Sequence, residues 1–369
     1  MAVRIGTFNT ENLFRRPSVF RLPDATRRKE VLDDFDTLVA LLDKETYTDK
    51  DKQKISELIL KHRAYSSDPV NPPLIYVNQN RPGKKSGLFD TPPPGTEPTE
   101  LPILAGGRAK WAGWAELGQD DLDMAAVSNT GRVVREVNAE VLLTPEVEDR
   151  LTLDRFNEQV LGPGWQPYPV DLLIDGNDPR GIDIGILTRF PVTSVRPHLF
   201  DPDPEDPTKH LFSRDCPEYE IQLDQESLVL LGNHLKSKFN DDPELRLHQA
   251  ERVAEIYRAA LERTPNVVVA GDLNDTPDSK PVETLLDAGL RDVMSHPSYQ
   301  GDDLGTHGSC KQRSDKLDYI MLSPALWEKV QNVGLETRGI FAHSNHFNTV
   351  KTKIDEASDH AALYVDVAV

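Results

Sequence analysis

Short apolar runs recur along the chain, and this pattern restricts the fold more than any other feature of the sequence. Each run is too short for an average helix and rich in Val, Ile or Leu, as expected for buried β-strands. The predicted strands are 3–8, 139–143, 170–174, 182–187, 219–223, 227–231, 266–270, 317–322 and 361–367. Helices are predicted at 25–43, 49–63 and 129–138, and a further helix begins after Asp242, where Asp-Pro-Glu supplies an N-cap, a first-turn proline and an acid. Many short strands with a few packed helices are typical of a layered α+β sandwich.

Polar residues that can bind a metal ion or move a proton stand at the ends of several predicted strands. They are Asn9, Glu11, Glu146, His234, Asp272, Asn274, Asp318, Asp359 and His360. Strand ends cluster at the rims of a sandwich, so we expect these side chains to converge although they are far apart in sequence. Carboxylate and amide oxygens suit a hard cation such as Mg²⁺ or Mn²⁺, whereas zinc favours cysteine and histidine.

Each of these residues also has a structural explanation when it is taken alone. Asn9 fits a turn, Glu146 fits the first turn of a helix, and 271–275 fits an Asx-rich turn. His234 fits a hydrogen-bonded core histidine, and 358–360 fits the lead-in to the last strand. The presence of the full set in one chain favours a catalytic site over these separate explanations.

Composition restricts the class of protein further. The 369-residue chain has a formal net charge of -19, which disfavours a tight nucleic-acid-binding module but not an enzyme that offsets charge with metal ions. No apolar run approaches the roughly 18 residues of a membrane span, so no stable membrane association is expected. No apolar leader follows Met1, which predicts a cytoplasmic protein, or a secreted one if a leader was removed. Cys216 and Cys310 could pair or remain free thiols.

Seven motifs, taken in order, resemble those of the endonuclease/exonuclease/phosphatase superfamily, which is deoxyribonuclease I-like, and in particular its bacterial nuclease-like branch. They are TFNTENL (7–13), EVE (146–148), RGID (180–183), NHLKSK (233–238), GDLN (271–274), LDYI (317–320) and SDH (358–360). The resemblance implies one catalytic domain over 1–369, folded as a four-layer α/β-β/α sandwich. The resemblance does not cover residues 22–122. This stretch is predicted to be a loop-rich insertion after the first strand, which shapes substrate access and contributes no catalytic residue.

The resemblance also implies a role for each site residue. Metal binding, with Glu146 as the main ligand, is implied for Asn9, Glu11, Glu146 and Asp359. Asp272 is expected to orient and deprotonate the attacking water, and Asn274 to hold a phosphate oxygen. Asp318 is expected to orient His360, which hydrogen-bonds the phosphoryl group. His234 stands where family members have a histidine or tyrosine that donates to the phosphate or to the leaving oxygen.

Three basic residues are the predicted contacts to substrate phosphates. The planar guanidinium of Arg180 suits a phosphate. Lys236 and Lys238 follow His234 closely, where a flanking phosphate of a nucleic-acid strand is expected. The alternative for all three is a solvated surface cation.

Together these inferences predict an enzyme, a Mg²⁺- or Mn²⁺-dependent phosphodiesterase. The leading hypothesis is a nuclease that cuts DNA or RNA with little sequence preference. Its rivals are a phosphomonoesterase or a sphingomyelinase-like lipid phosphodiesterase, and a catalytically inactive interaction module, which is disfavoured because no site residue is replaced by an inert one. The sequence leaves open the substrate, endo- or exonucleolytic cleavage, the number of metal ions and the oligomeric state.

Overall fold

The computed structural model describes residues 2–11, 13, 17–22, 24–68, 70–80, 87–119, 123–161, 164–178, 180–238 and 241–369. Asn12 of the first motif lies outside them, and so do residues 23, 69, 81–86 and 120–122 of the predicted insertion. The chain divides into two compact units, one formed by Met1–Phe14 with Leu122–Val369 and the other by Arg15–Asp121. A single catalytic domain with an insertion at 22–122 stays a prediction.

Strands and helices alternate along the described part of the chain. The strands are β1 (Ala2–Thr7), β2 (Ile75–Gln79), β3 (Gly113–Leu117), β4 (Val141–Val147), β5 (Val170–Ile174), β6 (Asp183–Thr188), β7 (Val192–Arg196), β8 (Glu218–Leu223), β9 (Glu226–His234), β10 (Val267–Asp272), β11 (Arg291–Asp292), β12 (Asp318–Leu322), β13 (Val330–Glu336) and β14 (Ala362–Ala368). The α-helices are α1 (Ala25–Leu42), α2 (Asp49–Lys61), α3 (Met124–Val137), α4 (Arg150–Arg155), α5 (Pro243–Leu261), α6 (Lys280–Asp287) and α7 (Pro324–Trp327). Within the residues described, no helix combines the length and the apolar composition that crossing a membrane requires.

Two six-stranded sheets carry the fold of the first unit. One has the strand order β13-β14-β1-β4-β6-β5, and the other has the order β11-β12-β10-β9-β8-β7. Both sheets are mixed, since β1 is parallel to β4 but antiparallel to β14, and β10 is parallel to β9 but antiparallel to β12. The parallel pairs bring the carboxyl ends of β1 and β4 together, and likewise those of β9 and β10.

The two sheets pack face to face, and helices cover their outer faces. Leu230 of β9 packs in the core between the sheets, whereas its neighbours Val229 and Leu231 pack with α5 on the other side. On the outer face of the first sheet, Val134 of α3 packs with Leu142 of β4. Full burial of such a side chain contributes about 1.5–3 kcal/mol, so both faces of each sheet stabilise the fold. The predicted four-layer α/β-β/α sandwich is confirmed.

The second unit contains α1, α2 and a two-stranded sheet of β2 and β3. Thr48 begins α2 with a capping box, in which its side chain and that of Asp51 bond reciprocally to backbone N–H groups. Trp111 is buried, and its indole N–H donates to the Tyr47 hydroxyl at 2.9 Å. The proline-rich stretch 66–102, predicted as a long loop or lobe, therefore includes one strand, β2, whose partner lies beyond it.

Several elements begin or end away from their predicted limits. The helix predicted at 129–138 begins at Met124, because the Asp123 side chain caps the N–H groups of Ala125 and Ala126. The strand predicted at 139–143 extends to Val147, past a proline. Besides β2, the prediction also missed four strands, β3, β7, β11 and β13, and three helices, α4, α6 and α7.

Candidate active site

His234, Asp272 and Asp318 lie side by side on three adjacent strands of the second sheet. Asp272 pairs with His234 across β10 and β9 and with Asp318 across β10 and β12. All three residues are buried. Residues that pair directly across a sheet carry their side chains on the same face, so the fold groups one imidazole and two carboxyl groups in a single row.

Glu146 belongs to the first sheet, and a β-bulge directs its side chain toward the row of His234, Asp272 and Asp318. The pairing of β4 with β6 shifts register between Pro145 and Val147, and Glu146 has a left-handed φ of 65°. A left-handed backbone costs a non-glycine residue about 1–2 kcal/mol. Two backbone bonds hold it there, from Thr10 N to Pro145 O at 3.0 Å and from Leu13 N to Glu146 O at 2.8 Å. The bulge thus re-aims the Glu146 side chain, as bulges do next to active sites.

The side chain of Asn9 connects the acids of the two sheets. Its Nδ2 donates to Glu146 Oε1 at 3.3 Å and to Asp272 Oδ2 at 3.1 Å. Its Oδ1 accepts from Glu11 N at 3.0 Å, and this bond orients the amide so that the nitrogen faces the carboxylates. Two carboxylates from different sheets therefore share one donor, an arrangement of negative charge that a bound cation stabilises.

His360 is paired with Asp318. Its Nδ1 lies 2.7 Å from Asp318 Oδ2, and the same oxygen accepts from Thr306 Oγ1 at 2.7 Å. Burial lowers the pKa of His360, but the charge and hydrogen bond of Asp318 and the charges of Asp272 and Asp359 outweigh it, so this pKa lies well above its ordinary value. We therefore expect an imidazolium at neutral pH that donates Nδ1–H to Asp318.

His234, by contrast, is uncharged at neutral pH. Its Nε2 lies 3.7 Å from Glu146 Oε1 and 3.8 Å from Asp272 Oδ2. Burial, followed by the positive charges of Arg214 and Arg180, lowers its pKa well below the ordinary value. The two site histidines thus differ in charge at neutral pH, which is how a site keeps an acid and a neutral donor side by side.

Asp272 is the carboxyl group best suited to accept a proton. Burial and the nearby charge of Asp318 raise its pKa to about 7. Asn274, which has a left-handed φ of 52°, donates its backbone N–H to Asp272 Oδ1 at 2.8 Å and its Nδ2 to Leu235 O at 3.1 Å. These bonds fix the Asp272 carboxyl group and join the ends of β9 and β10.

Glu11 and Asp359 lie together, next to a lysine that the sequence analysis did not single out. The backbone N–H of Asp359 donates to Glu11 Oε2 at 3.1 Å, and Lys353 Nζ lies 3.4 Å from Asp359 Oδ2 and 4.0 Å from Glu11 Oε1. Burial raises the pKa of Asp359, but the hydrogen bond from His307 and the charges of His360 and Lys353 hold it well below its ordinary range. Asp359 is therefore a carboxylate near neutral pH.

The three basic residues predicted to contact phosphate have different surroundings. Arg180 forms a forked pair with Asp178, from Nε to Oδ1 at 3.0 Å and from Nη2 to Oδ2 at 2.7 Å. Lys238 Nζ lies 2.9 Å from Asp275 Oδ1, and its side chain is 45% exposed. The backbone N–H of Lys236 donates to Gln249 Oε1 at 2.8 Å, which holds the segment after β9 in place.

Arg214 is a site residue that the sequence analysis missed. It is almost fully buried, its Nε lies 2.9 Å from Asp178 Oδ2, and its Nη1 donates to Leu235 O at 3.2 Å. Burial lowers the pKa of Arg214, whereas the charge of Asp178 and those of Glu146 and Asp272 raise it. The positive charge of Arg214 therefore interacts with the carboxyl groups of Glu146 and Asp272. Arg214 precedes β8, and no strand-end pattern in the sequence identifies it.

The potential ligand atoms of the site fit a hard divalent cation. Glu146 and Asp272 share the Asn9 amide, and Asp272, Asp318 and His360 each offer a ligand atom within 4.8 Å of the others. Oxygen atoms predominate, which suits Mg²⁺ or Mn²⁺. The buried Asp318 Oδ1 makes no hydrogen bond to any residue that the structure describes, so this oxygen is available to a ligand.

Comparison with known proteins identifies relatives of this fold. The model of the Endonuclease/Exonuclease/phosphatase family matches residues 117–360. Truncated Caenorhabditis elegans TDP2 is 19% identical, with 66% of this chain and 90% of that chain covered and a TM-score of 0.48. A Bacteroides thetaiotaomicron mannosyl-6-phosphatase is 16% identical, with 66% of this chain and 91% of that chain covered and a TM-score of 0.49. The human Nocturnin catalytic domain with bound sulfate is 13% identical, with 68% of this chain and 88% of that chain covered and a TM-score of 0.47. No curated protein matches the chain.

Proposed function

The chain belongs to the endonuclease/exonuclease/phosphatase family, and we propose that it is a divalent-metal-dependent phosphodiesterase that cleaves nucleic acid with little sequence preference. Members of this family are hydrolases of phosphoester bonds. The observation that carries the proposal is the row of His234, Asp272 and Asp318, with His360 paired to Asp318 and Asn9 joining Asp272 to Glu146. This row provides a base, an acid and a neutral donor in one place.

Asp272 is the group that activates water in this proposal. With its pKa near 7 it is largely ionised just above neutral pH, and Asn9 and the N–H of Asn274 orient its two oxygens. A general base works best when its pKa is close to the working pH. A bound divalent cation, held by Glu146 with Glu11, Asp359 and the amide oxygen of Asn9, would supply positive charge that offsets the charge of the phosphate.

The two histidines act on the phosphoryl group. The His360 imidazolium donates Nε2–H to a non-bridging oxygen, and the Asp318 carboxylate stabilises its positive charge. His234 is neutral, so it donates a hydrogen bond to the phosphate or the leaving oxygen without adding charge. Phosphoryl transfer needs positioning and charge neutralisation more than covalent catalysis, and these groups provide both. Asn274 is assigned to a phosphate oxygen.

Lys236 and Lys238 support a nucleic-acid substrate, because they directly follow the strand that ends at His234. Lys238 is paired with Asp275, which also pairs with the buried Arg246 at 2.8 Å, so Asp275 keeps a cationic partner when Lys238 turns to a phosphate. Two such contacts give a slope of about -2 when the logarithm of affinity is plotted against that of salt concentration. With a net charge of -19 over the whole chain, we expect weak binding and turnover that falls steeply with salt.

A panel of substrates tests the reaction. Purified protein with Mg²⁺ is given plasmid DNA, single-stranded DNA, RNA, bis-p-nitrophenyl phosphate, p-nitrophenyl phosphate and sphingomyelin. We expect cleavage of the nucleic acids and of the small diester, and loss of both in Asp272→Asn. Hydrolysis of the phosphomonoester or of sphingomyelin without cleavage of DNA or RNA would assign the protein to one of the rival functions.

A pair of lysine variants tests the nucleic-acid contact. Lys238→Ala should lower the rate on long DNA or RNA more than on bis-p-nitrophenyl phosphate, which has no flanking phosphates. The matched control is Lys329→Ala, because Lys329 also forms a surface ion pair, with Glu226 at 3.0 Å, at the opposite end of β9 from His234. An equal loss on both substrates in Lys238→Ala contradicts the assigned contact.

A further inference from the structure

A second group of possible metal ligands lies at the edge of the site and includes a residue with no role in the mechanism above. His307, Asp359 and His360 each offer one ligand atom, and these atoms lie within 4.8 Å of one another. The side chains of His307 and Asp359 are 41% and 30% exposed, so an ion in solvent can reach them. His360 is nearly buried and forms the inner wall.

The backbone holds the two imidazoles next to each other. His307 and His360 pair as an antiparallel bridge, Gly308 N donates to Asp359 O at 2.8 Å, and Ala361 N donates to Thr306 O at 2.6 Å. The rings meet edge to face with centroids 4.9 Å apart. The group is therefore pre-organised, which lowers the entropy that binding must overcome.

The orientation of His360 suits a metal ligand. Its Nδ1 is bonded to Asp318, and Nε2 makes no hydrogen bond within the described part of the chain. Metal-binding histidines characteristically donate their other ring N–H to a carboxylate in this way. A nearly buried ring nitrogen that points into the group is thus an observation independent of the clustering itself.

The distances fit a small transition-metal ion after a modest closure. His360 Nε2 lies 3.8 Å from Asp359 Oδ1, and His307 Nε2 lies 3.6 Å from Asp359 Oδ2. Two ligands at zinc bonding distance in a tetrahedral site are about 3.4 Å apart, so each imidazole nitrogen already lies within a few tenths of an ångström of this spacing from one oxygen of the Asp359 carboxylate. Lys353 Nζ lies 3.4 Å from Asp359 Oδ2 and also pairs with the buried Glu356, so it competes with the ion for the Asp359 carboxylate.

We propose that His307, Asp359 and His360 bind a divalent transition-metal ion such as Zn²⁺, with water completing its coordination. Two imidazoles and one carboxylate select such an ion over Mg²⁺, which prefers oxygen ligands. Binding displaces the Nε2 proton of His360 to solvent and occupies that nitrogen, which then cannot donate to the phosphoryl group, so the ion inhibits hydrolysis. The inhibition rests on the proposed function, whereas the binding does not.

Binding is tested without substrate and without Mg²⁺, by calorimetric titration with Zn²⁺ and by the visible absorption of Co²⁺. His307→Asn should weaken the Zn²⁺ site by about 10-fold or more, since even losing a partner of a ligand costs about 10–100-fold in affinity, and should reduce the Co²⁺ bands. His346→Asn, at an exposed histidine outside the group, is the matched control and should bind as the wild type does. Equal Zn²⁺ affinity in wild type and His307→Asn overturns the proposal, whatever the enzyme assays give.

Inhibition is then measured with saturating Mg²⁺ and buffered free Zn²⁺. His307→Asn should keep the Mg²⁺-dependent rate and raise the Zn²⁺ concentration for half inhibition by about 10-fold or more, in line with the loss of a ligand. If Zn²⁺ inhibits both proteins equally, the ion acts elsewhere and the inhibitory role is refuted. If no phosphoester is hydrolysed at all, the proposed function fails while the binding result still stands.

Discussion

Replacing Asp318 with asparagine removes the charge that keeps His360 protonated but preserves the shape of the side chain. Asp318 is fully buried, accepts from Thr306 Oγ1, and lies 2.7 Å from His360 Nδ1. A hydrogen bond between charged groups is worth about 1.5–3 kcal/mol, and each 1.4 kcal/mol of barrier is roughly a factor of ten in rate. We therefore expect kcat/KM of Asp318→Asn to fall by about 10- to 100-fold.

The pH profile separates this cause from a general loss of structure. Because Asp318 is the main cause that raises the pKa of His360, the variant's His360 loses its proton at lower pH, and the alkaline fall in rate moves to lower pH. The ¹⁵N shifts of the His360 ring report the same change directly.

The matched control is Asp224→Asn, at an exposed turn before β9, far along the strand from His234. It should leave the rate and the pH profile unchanged. A rate for Asp318→Asn within about threefold of wild type, with an unshifted alkaline limb and unchanged ring ¹⁵N signals, would refute the assignment of His360 as an imidazolium held by Asp318; threefold is only about 0.6 kcal/mol.

The remaining predictions concern the other site groups. Glu146→Gln should need far more Mg²⁺ for half-maximal rate, because it keeps the shape but loses the charge of the main ligand, and a Mg²⁺ titration measures this. His234→Ala should lower kcat by about 10²-fold or more with an unchanged far-UV spectrum; a rate within a few-fold of wild type would make His234 structural. The rate should rise with pH as Asp272 ionises, with a midpoint at or below its metal-free pKa of about 7 because a bound cation lowers it, and should fall as His360 loses its proton well above pH 6.5. A pH–rate profile without an acidic limb would exclude Asp272 as the base.

Hydrophobic periodicity predicted the sheets well, because strands buried on both faces are continuous apolar runs. Residues 317–322 were predicted as a strand, and β12, in which every residue is buried, spans Asp318–Leu322. The end of β4 was missed, because Pro145 in a strand is normally a break, whereas here the strand continues through it as far as Val147. The bulge that re-aims Glu146 depends on tertiary bonds from 10–13, which no local pattern contains.

The sequence also predicted which polar residues stand at strand ends, and the family resemblance implied the contact between Asp318 and His360, but the other partners were not predicted. That Asp272 pairs with both His234 and Asp318 follows from sheet order, which periodicity does not give. Arg214 and His307 lie in irregular segments and reach the site through the fold alone. A buried arginine and a histidine in a loop have no spacing that distinguishes them from ordinary residues, so only the structure could identify them.

One measurement tests the central claim most directly: hydrolysis of bis-p-nitrophenyl phosphate and plasmid DNA by the metal-stripped protein, followed by addition of Mg²⁺. The account predicts no turnover in excess EDTA, recovery with Mg²⁺, and no recovery in Asp272→Asn under the same conditions. Full activity in EDTA would contradict the metal-dependent mechanism. Wild-type activity in Asp272→Asn would contradict the site itself.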